Sequence, residues 1–118
     1  MIAIYTGEAE RLAKESAMEV RAYLEMTMRV DRGEGTAAAS VYSQYTGPFL
    51  TSIEGALLRN VSSRGQVVRV LHGFSSREHA EAYLRSPLHA DVVLRGLLLW
   101  RRVPEVRVYG PVWSRPPA

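Results

Sequence analysis

Apolar and polar residues alternate over residues 19–30, and this is the clearest strand pattern in the chain. Because successive side chains of a β-strand point to opposite faces, the pattern predicts a strand with one buried face. That face would carry Val20, Ala22, Leu24, Met26, Met28 and Val30. Shorter runs at 56–61, 66–74 and 105–109 predict three further strands, and residues 62–65 predict a turn between the second and the third.

Helical segments separate these strands. Thr36 is the predicted cap of a helix that continues through residue 42. Gly47 and Pro48 interrupt that helix, and a further turn over 48–53 is expected because proline suits the first position of a helix. Residues 75–78 have the spacing of a capping box, which predicts a helix from Ser76 to Ser86, followed by a second helical piece over 87–99.

The order strand, helix, strand, strand, helix, strand predicts an α+β fold, namely a ferredoxin-like four-stranded antiparallel sheet with helices on one face. The strand over 66–74 is apolar on both sides, so the open face of the sheet also needs a cover. A second copy of the chain is the simplest cover, since two-fold interfaces are self-complementary and common. Residues 1–18 are predicted to be an N-terminal helical extension, 19–110 the domain, and 111–118 a proline-rich tail.

Composition excludes several classes of function. The chain has 118 residues and no cysteine, so thiol chemistry and cysteine-based metal sites are excluded. Its net charge of +3 comes from arginines spread singly along the chain, and this pattern does not favour nucleic-acid binding. Neither an apolar run long enough to cross a membrane nor a secretory signal is visible, and a cytoplasmic location without membrane association is therefore expected.

The second half of the chain resembles the antibiotic biosynthesis monooxygenase-like proteins of the dimeric α/β-barrel superfamily. The resemblance rests on the strand at 70–76, the helix start at 80–86 and the closing strand at 106–109, whose residues follow the family pattern "GF.S...A..YL.S" and "V.VY". It implies a homodimer whose two sheets face each other, with a pocket between sheet and helices in each subunit. These motifs are mainly structural, so they predict fold better than activity.

Several members of that family oxidise polycyclic phenols or anthrones with dioxygen and use no metal or flavin. The resemblance therefore implies an aromatic small-molecule substrate and no cofactor. Haem-degrading relatives carry a histidine ligand in the second half of the long helix. Here Val93 or a neighbour takes about that position, and His89 lies about one turn too early, which disfavours haem.

His72 is the candidate catalytic residue. It shares a strand face with Val68, Val70 and Phe74, so its imidazole should lie beneath the helices, where burial favours the neutral base. It could accept a proton from the substrate. The alternative is a structural core histidine that is hydrogen-bonded to a backbone or hydroxyl partner.

The candidate substrate-binding residues are Tyr45, Phe49, Trp100, Asn60 and Arg69. The three aromatic residues could line a flat pocket, and the alternative for each is plain core packing. Asn60 and Arg69 lie on neighbouring strands and could orient a carbonyl or stabilise an enolate, or they could pair with Glu25 or water. The histidines and acids are too sparse to predict a metal site.

Three functions remain open at this stage. The first is a cofactor-independent monooxygenase that acts on an aromatic or polyketide-like molecule. The second is a cyclase or isomerase with the same pocket, which needs proton transfer alone. The third is a small-molecule-binding dimer without turnover.

Overall fold

The computed structural model describes residues 20–110. The predicted N-terminal extension and proline-rich tail lie outside these residues. In chain order the elements are β1 (Ala22–Arg29), α1 (Gly35–Ser43), α2 (Thr46–Ser52), β2 (Ala56–Arg64), β3 (Val67–Phe74), α3 (Arg77–Tyr83), α4 (Pro87–Trp100) and β4 (Glu105–Tyr109).

The four strands form one antiparallel sheet in the order β2-β3-β1-β4. Along β1 buried residues alternate with partly exposed ones, as the sequence predicts. The ferredoxin-like α+β fold is therefore confirmed. We call the buried side of the sheet, which packs against the helices, the helix face, and we call the other side the outer face. No helix in the described part of the chain is long and apolar enough to cross a membrane.

The core lies between the helix face and the helices, in two apolar clusters that both contact Leu88. One cluster is centred on Tyr42 and the methionines of β1, and the other on Phe49 and Phe74. Burial of such large side chains is the main stabilising contribution in a domain of this size.

The first two helices differ from their predicted starts. The cap of α1 is Glu34, and Thr36 lies inside the helix, because Gly35 already adopts helical geometry. The interruption falls at residues 44–45, and α2 begins at Thr46, so Pro48 is its third residue. Proline is tolerated there since the first turn of a helix has no internal acceptor for its missing N–H.

Strand β2 is longer than predicted. It continues to Arg64, and the turn consists of Gly65 and Gln66, with Gly65 at a φ of +59°. Glycine occupies this left-handed region at low cost, which makes a two-residue hairpin turn possible. The pairing of β2 with β3 is irregular between Ala56 and Leu58, where a β-bulge shifts the register.

Serine caps determine where the last two helices begin. For α3 the cap is Ser76, whose hydroxyl accepts from the backbone N–H of His79, so the predicted Ser75–Glu78 box is off by one residue. Ser86 caps α4 in the same way, and Pro87 is its first residue, as predicted. Both caps satisfy an N–H that would otherwise have no partner.

Two glycines provide a test of backbone packing. A Cβ on Gly35 would collide with the backbone oxygen of Gly65, whereas a Cβ on Gly47 in α2 would meet nothing within 4 Å. We expect Gly35→Ala to lower the free energy of unfolding. We expect Gly47→Ala to change it much less, because no comparable clash arises there and the one cost is that helical geometry is disfavoured for a residue with a Cβ before Pro48. Urea denaturation of both variants checks this, and a gain for Gly35→Ala would contradict the close packing.

Candidate functional site

His72 lies on the helix face of β3 and is almost fully buried, with 1% of its surface exposed. Aromatic rings surround its imidazole. The ring centroids of Phe49, Tyr83 and Phe74 lie at 5.0, 5.3 and 6.4 Å. The sequence-based prediction that this side chain points beneath the helices is therefore correct in its geometry.

The hydrogen bond of His72 determines which ring nitrogen carries the proton. Its Nδ1 lies 2.9 Å from the backbone oxygen of Leu24, directly across from it in β1. A carbonyl oxygen can only accept, so Nδ1 is the donor and Nε2 of the neutral ring keeps its lone pair. Nε2 is buried and has no hydrogen-bond partner. The ring therefore presents an unprotonated, unpartnered nitrogen.

The pKa of His72 is lowered to about 3, mainly by burial and to a smaller extent by the nearby Arg59 and His89. The backbone hydrogen bond with Leu24 acts in the opposite direction and is outweighed. At neutral pH the imidazole is therefore uncharged, which is the state a proton acceptor requires.

Arg59 is paired directly opposite His72 in the β2–β3 register and is 8% exposed. Its Nη1 donates to the backbone oxygen of Tyr42 at 2.7 Å and to the hydroxyl of Thr46 at 2.8 Å. Its Nε and Nη2 are buried and have no partner. Burial lowers the pKa of Arg59, but a guanidinium with so high an ordinary value stays charged at neutral pH.

Tyr83 and His89 extend the same cluster from the helix side. The Tyr83 ring, at the end of α3, lies 5.3 Å from His72 and 5.2 Å from His89, which is the third residue of α4. Burial raises the pKa of Tyr83 to about 12 and lowers the pKa of His89. His89 Nδ1 is a further buried nitrogen without a partner.

Tyr45 borders the cluster between α1 and α2. Its hydroxyl donates to an Asp91 carboxylate oxygen at 2.7 Å, and the Arg95 guanidinium lies 5.9 Å from its ring centroid. Burial and the Asp91 hydrogen bond raise the pKa of Tyr45. Phe49 is fully buried and contacts His72 edge-on. Of the predicted substrate-binding residues, Phe49 is thus in contact with His72, and Tyr45 lies close enough to Arg59 and Tyr83 to interact with them electrostatically.

The structure does not bring the other three predicted residues to His72. Asn60 and Arg69 lie on the outer face, and Arg69 Nε pairs with a Glu25 carboxylate oxygen at 2.9 Å. Trp100 ends α4, where its indole nitrogen donates to Glu34 and its ring lies 5.8 Å from that of Tyr42. These residues therefore belong to other parts of the fold than the His72 cluster.

Arg59 and His89 are residues of the cluster that sequence reasoning missed. Strand alternation carries the signal for Arg59, since any hairpin loop with an even number of residues places Arg59, and not Asn60, on the His72 face. The sequence interpretation considered His89 only as a metal or haem ligand. Its burial depends on how α4 packs, and one-dimensional periodicity does not show that packing.

The cluster combines a hydrogen-bond acceptor, a fixed positive charge and aromatic walls. Among residues 20–110, four buried nitrogens without partners belong to three adjacent residues, namely Arg59 Nε and Nη2, His72 Nε2 and His89 Nδ1. Unpartnered buried polar atoms are rare and unfavourable in folded proteins, so such a concentration indicates a place where a polar ligand completes the hydrogen bonding. Within residues 20–110 no group of three or more histidine or acidic side chains is arranged to hold a metal ion.

A groove on the outer face also contains arginines, and these are paired with carboxylates. It has a volume of about 410 Å³ and includes Glu25, Arg69 and Arg107 in its lining. Both arginines pair with the Glu25 carboxylate at 2.9 Å. Glu105 also lines the groove, so its two arginines are matched by two carboxylates, unlike Arg59.

Comparison with solved structures shows what this fold is similar to. NE2512, a protein of unknown function from Nitrosomonas europaea, superposes with a TM-score of 0.67 at 16% identity, over 85% of this chain and 97% of that one. A monooxygenase from the gene ActVA-Orf6 of Streptomyces coelicolor, solved with the ligand nanaomycin D, gives 0.64 at 18% identity, over 85% and 95%. A provisionally assigned antibiotic biosynthesis monooxygenase from Chloroflexus aurantiacus gives 0.56 at 20% identity, over 80% and 96%.

No family model matches the chain, and no curated protein matches it in sequence. The similarity to antibiotic biosynthesis monooxygenase structures is the one that the motifs at 70–109 predicted. At these identities it shows the shared fold.

The buried imidazole should make stability depend on pH. The folded pKa of His72 is about 3 against an ordinary 6.5, so below pH 6.5 the unfolded chain binds a proton that the folded chain does not. The contribution of the neutral, buried His72 to the free energy of unfolding is complete above pH 6.5 and is lost as the pH falls towards 3. Between pH 7 and pH 5 the loss is about 2 kcal/mol.

Urea denaturation at pH 7, 6 and 5 checks this, with His72→Gln as the comparison. The variant should lose less stability over this range than the wild type. His89 remains in both proteins, so its own effect cancels. Identical pH slopes would show that His72 is not buried as a neutral ring.

Proposed function

We propose that this chain is a cofactor-independent monooxygenase-like protein acting on an aromatic or polyketide-like small molecule. The observation that supports it best is the juxtaposition of an unpartnered imidazole nitrogen with a buried guanidinium. His72 Nε2 is oriented as a proton acceptor, and Arg59 is a charge that favours the anion left by deprotonation. Phe49 and Tyr83 supply aromatic walls beside His72, and Tyr83 also interacts electrostatically with Arg59.

In the proposed reaction an acidic aromatic C–H or O–H gives its proton to His72 Nε2. The resulting electron-rich anion transfers an electron to dioxygen, and the two radicals combine to form a carbon-bound peroxide, which takes the proton back from His72. Loss of water then leaves a carbonyl, so one oxygen atom enters the product and the other leaves as water. For an anthrone this gives the anthraquinone, and O₂ is the only co-reactant.

A His72 pKa of about 3 makes the free imidazole a weak base. Burial is the largest cause, and the charge of Arg59 adds to it. A substrate anion formed at Arg59 offsets that positive charge and stabilises the imidazolium, so proton transfer becomes easier as the anion forms. The two residues therefore act as a pair, in which Arg59 stabilises the charge that His72 creates.

Oxygen uptake tests this proposal. With an anthrone as substrate, the protein should accelerate O₂ consumption above the uncatalysed rate and yield the quinone. His72→Ala should lower the rate by about 100-fold or more, the usual range for losing a general base. His79→Gln is the matched control, because His79 lies on α3 with its ring bound to serine hydroxyls outside the cluster.

Two outcomes count against the oxygenase. Substrate turnover without O₂ consumption would favour the cyclase or isomerase, since His72 Nε2 supports proton transfer equally well there. Ligand binding with no turnover by the wild type would favour the small-molecule-binding protein.

We also propose that the protein is a homodimer built on the outer face, as in a dimeric α/β barrel. Pairing aligns Leu58, Gly73, Tyr23 and Tyr109 in one row across that face. Leu71 lies in the next row and is only partly exposed. A second copy would bury this apolar and aromatic surface by the same residues on both sides.

Light scattering of the purified protein tests the dimer. Leu71→Asp should convert it to a monomer, because two unpaired carboxylates would be buried at the two-fold interface. Ala82→Asp, exposed on α3 and away from that face, should remain dimeric. A wild-type monomer at micromolar concentration would contradict the proposal.

A further inference from the structure

The guanidinium of Arg59 is held on one side and unpartnered on the other. Nη1 makes both of its hydrogen bonds to the junction of α1 and α2, through the Tyr42 backbone oxygen and the Thr46 hydroxyl. Nε and Nη2 remain without partners, although both are buried. By the geometry of the group, the Nε–H and one Nη2–H point in parallel from the same edge. The two unpartnered N–H groups therefore lie on one edge of the guanidinium and can donate two parallel hydrogen bonds.

This edge has the shape that binds a carboxylate through two parallel hydrogen bonds. A lone hydroxyl or ketone oxygen would accept from the pair less favourably, because it presents one atom to two parallel donors. A planar group with two oxygens satisfies both donors at once.

The charge of Arg59 points to an anion. Within residues 20–110 the other arginine ion pairs go to Glu25, Glu81 and Asp31, and no acidic side chain in that range pairs with Arg59. Asp91, on the neighbouring helix, is engaged by the Tyr45 hydroxyl. A buried charge without a counter-charge is strongly unfavourable, so a ligand that supplies the negative charge gains the corresponding stabilisation.

We propose that Arg59 binds the carboxylate of an aromatic acid, which makes it the residue that determines substrate class. This inference rests on the proposed function, since it names the kind of aromatic molecule that the same site takes. The carboxylate lies against the Nε–Nη2 edge, and the ring system packs against the Phe49–Tyr83 pair from outside, since the centroids of those two rings are only 5.2 Å apart.

Matched probes test this. 2-Naphthoate and 9-anthracenecarboxylate are compared with their neutral carboxamides by calorimetry at pH 7.5, at concentrations up to about 1 mM. Each carboxylate should bind the wild-type protein about tenfold or more tightly than its amide, as expected for a charge-assisted bidentate pair. Equal affinities, or no binding of either carboxylate in this range, would overturn the proposal.

Three arginine variants locate the effect. Arg59→Met should abolish the preference for carboxylate over amide, whereas Arg77→Met, at an exposed ion pair on α3, should keep the preference. Arg59→Lys keeps the charge and removes the pair of parallel N–H donors, so it should retain only part of the preference for carboxylate. If Arg59→Met does not fold, the lysine variant and the wild-type probe comparison decide the question.

These measurements involve no oxygen chemistry. A carboxylate preference that depends on Arg59, without any anthrone oxidation, would support the anion site and reject the monooxygenase. Anthrone oxidation with no carboxylate preference would support the monooxygenase and reject the anion site.

Discussion

A single buried cation constrains this domain more than any other group. The guanidinium of Arg59 lies under the helices, and its Nη1 needs acceptors there. The interruption between α1 and α2 provides them, because the last turn of α1 leaves its backbone oxygens available and lies at the negative end of the helix dipole. The hydroxyl of Thr46, at the start of α2, adds the second acceptor. The break in the helix is therefore part of how the fold accommodates a charge.

Strand pairing in the sheet determines where His72 lies relative to Arg59. Because Leu24 and His72 are paired across β1 and β3, the Leu24 backbone oxygen holds Nδ1 and determines the tautomer. Arg59 lies opposite His72 on the next strand. Three neighbouring strands thus place a hydrogen-bonded imidazole and a guanidinium at the same level of one face. Rigid strands hold such geometry more accurately than loops.

Strand alternation was sufficient to predict the sheet, its helix face and the burial of His72. The same alternation, followed from β3 back across the hairpin, places Arg59 on the helix face and Asn60 on the outer face. The sequence interpretation did not follow it that far and selected Asn60. The serines at 62 and 63 predict a turn over 62–65, yet residues 62–64 continue the strand and the turn itself is Gly65 and Gln66. Trp100 and Glu34 are 66 residues apart, and only the packing of α4 against α1 brings them together. Such tertiary contacts leave no periodic signal in the sequence.

The irregular pairing between Ala56 and Leu58 divides β2 into two segments with different phase. The segment next to the turn is tied to β3 by the tight hairpin at Gly65, and Arg59 belongs to that segment. The segment before the irregularity begins at Ala56, which pairs with Phe74 and also donates its backbone N–H to the Ile53 oxygen just after α2. Changes in the length of the α2–β2 connection can therefore be absorbed at the bulge, and the inward direction of Arg59 is insulated from them. The α2–β2 connection can therefore vary during evolution while Arg59 keeps its position beneath the helices.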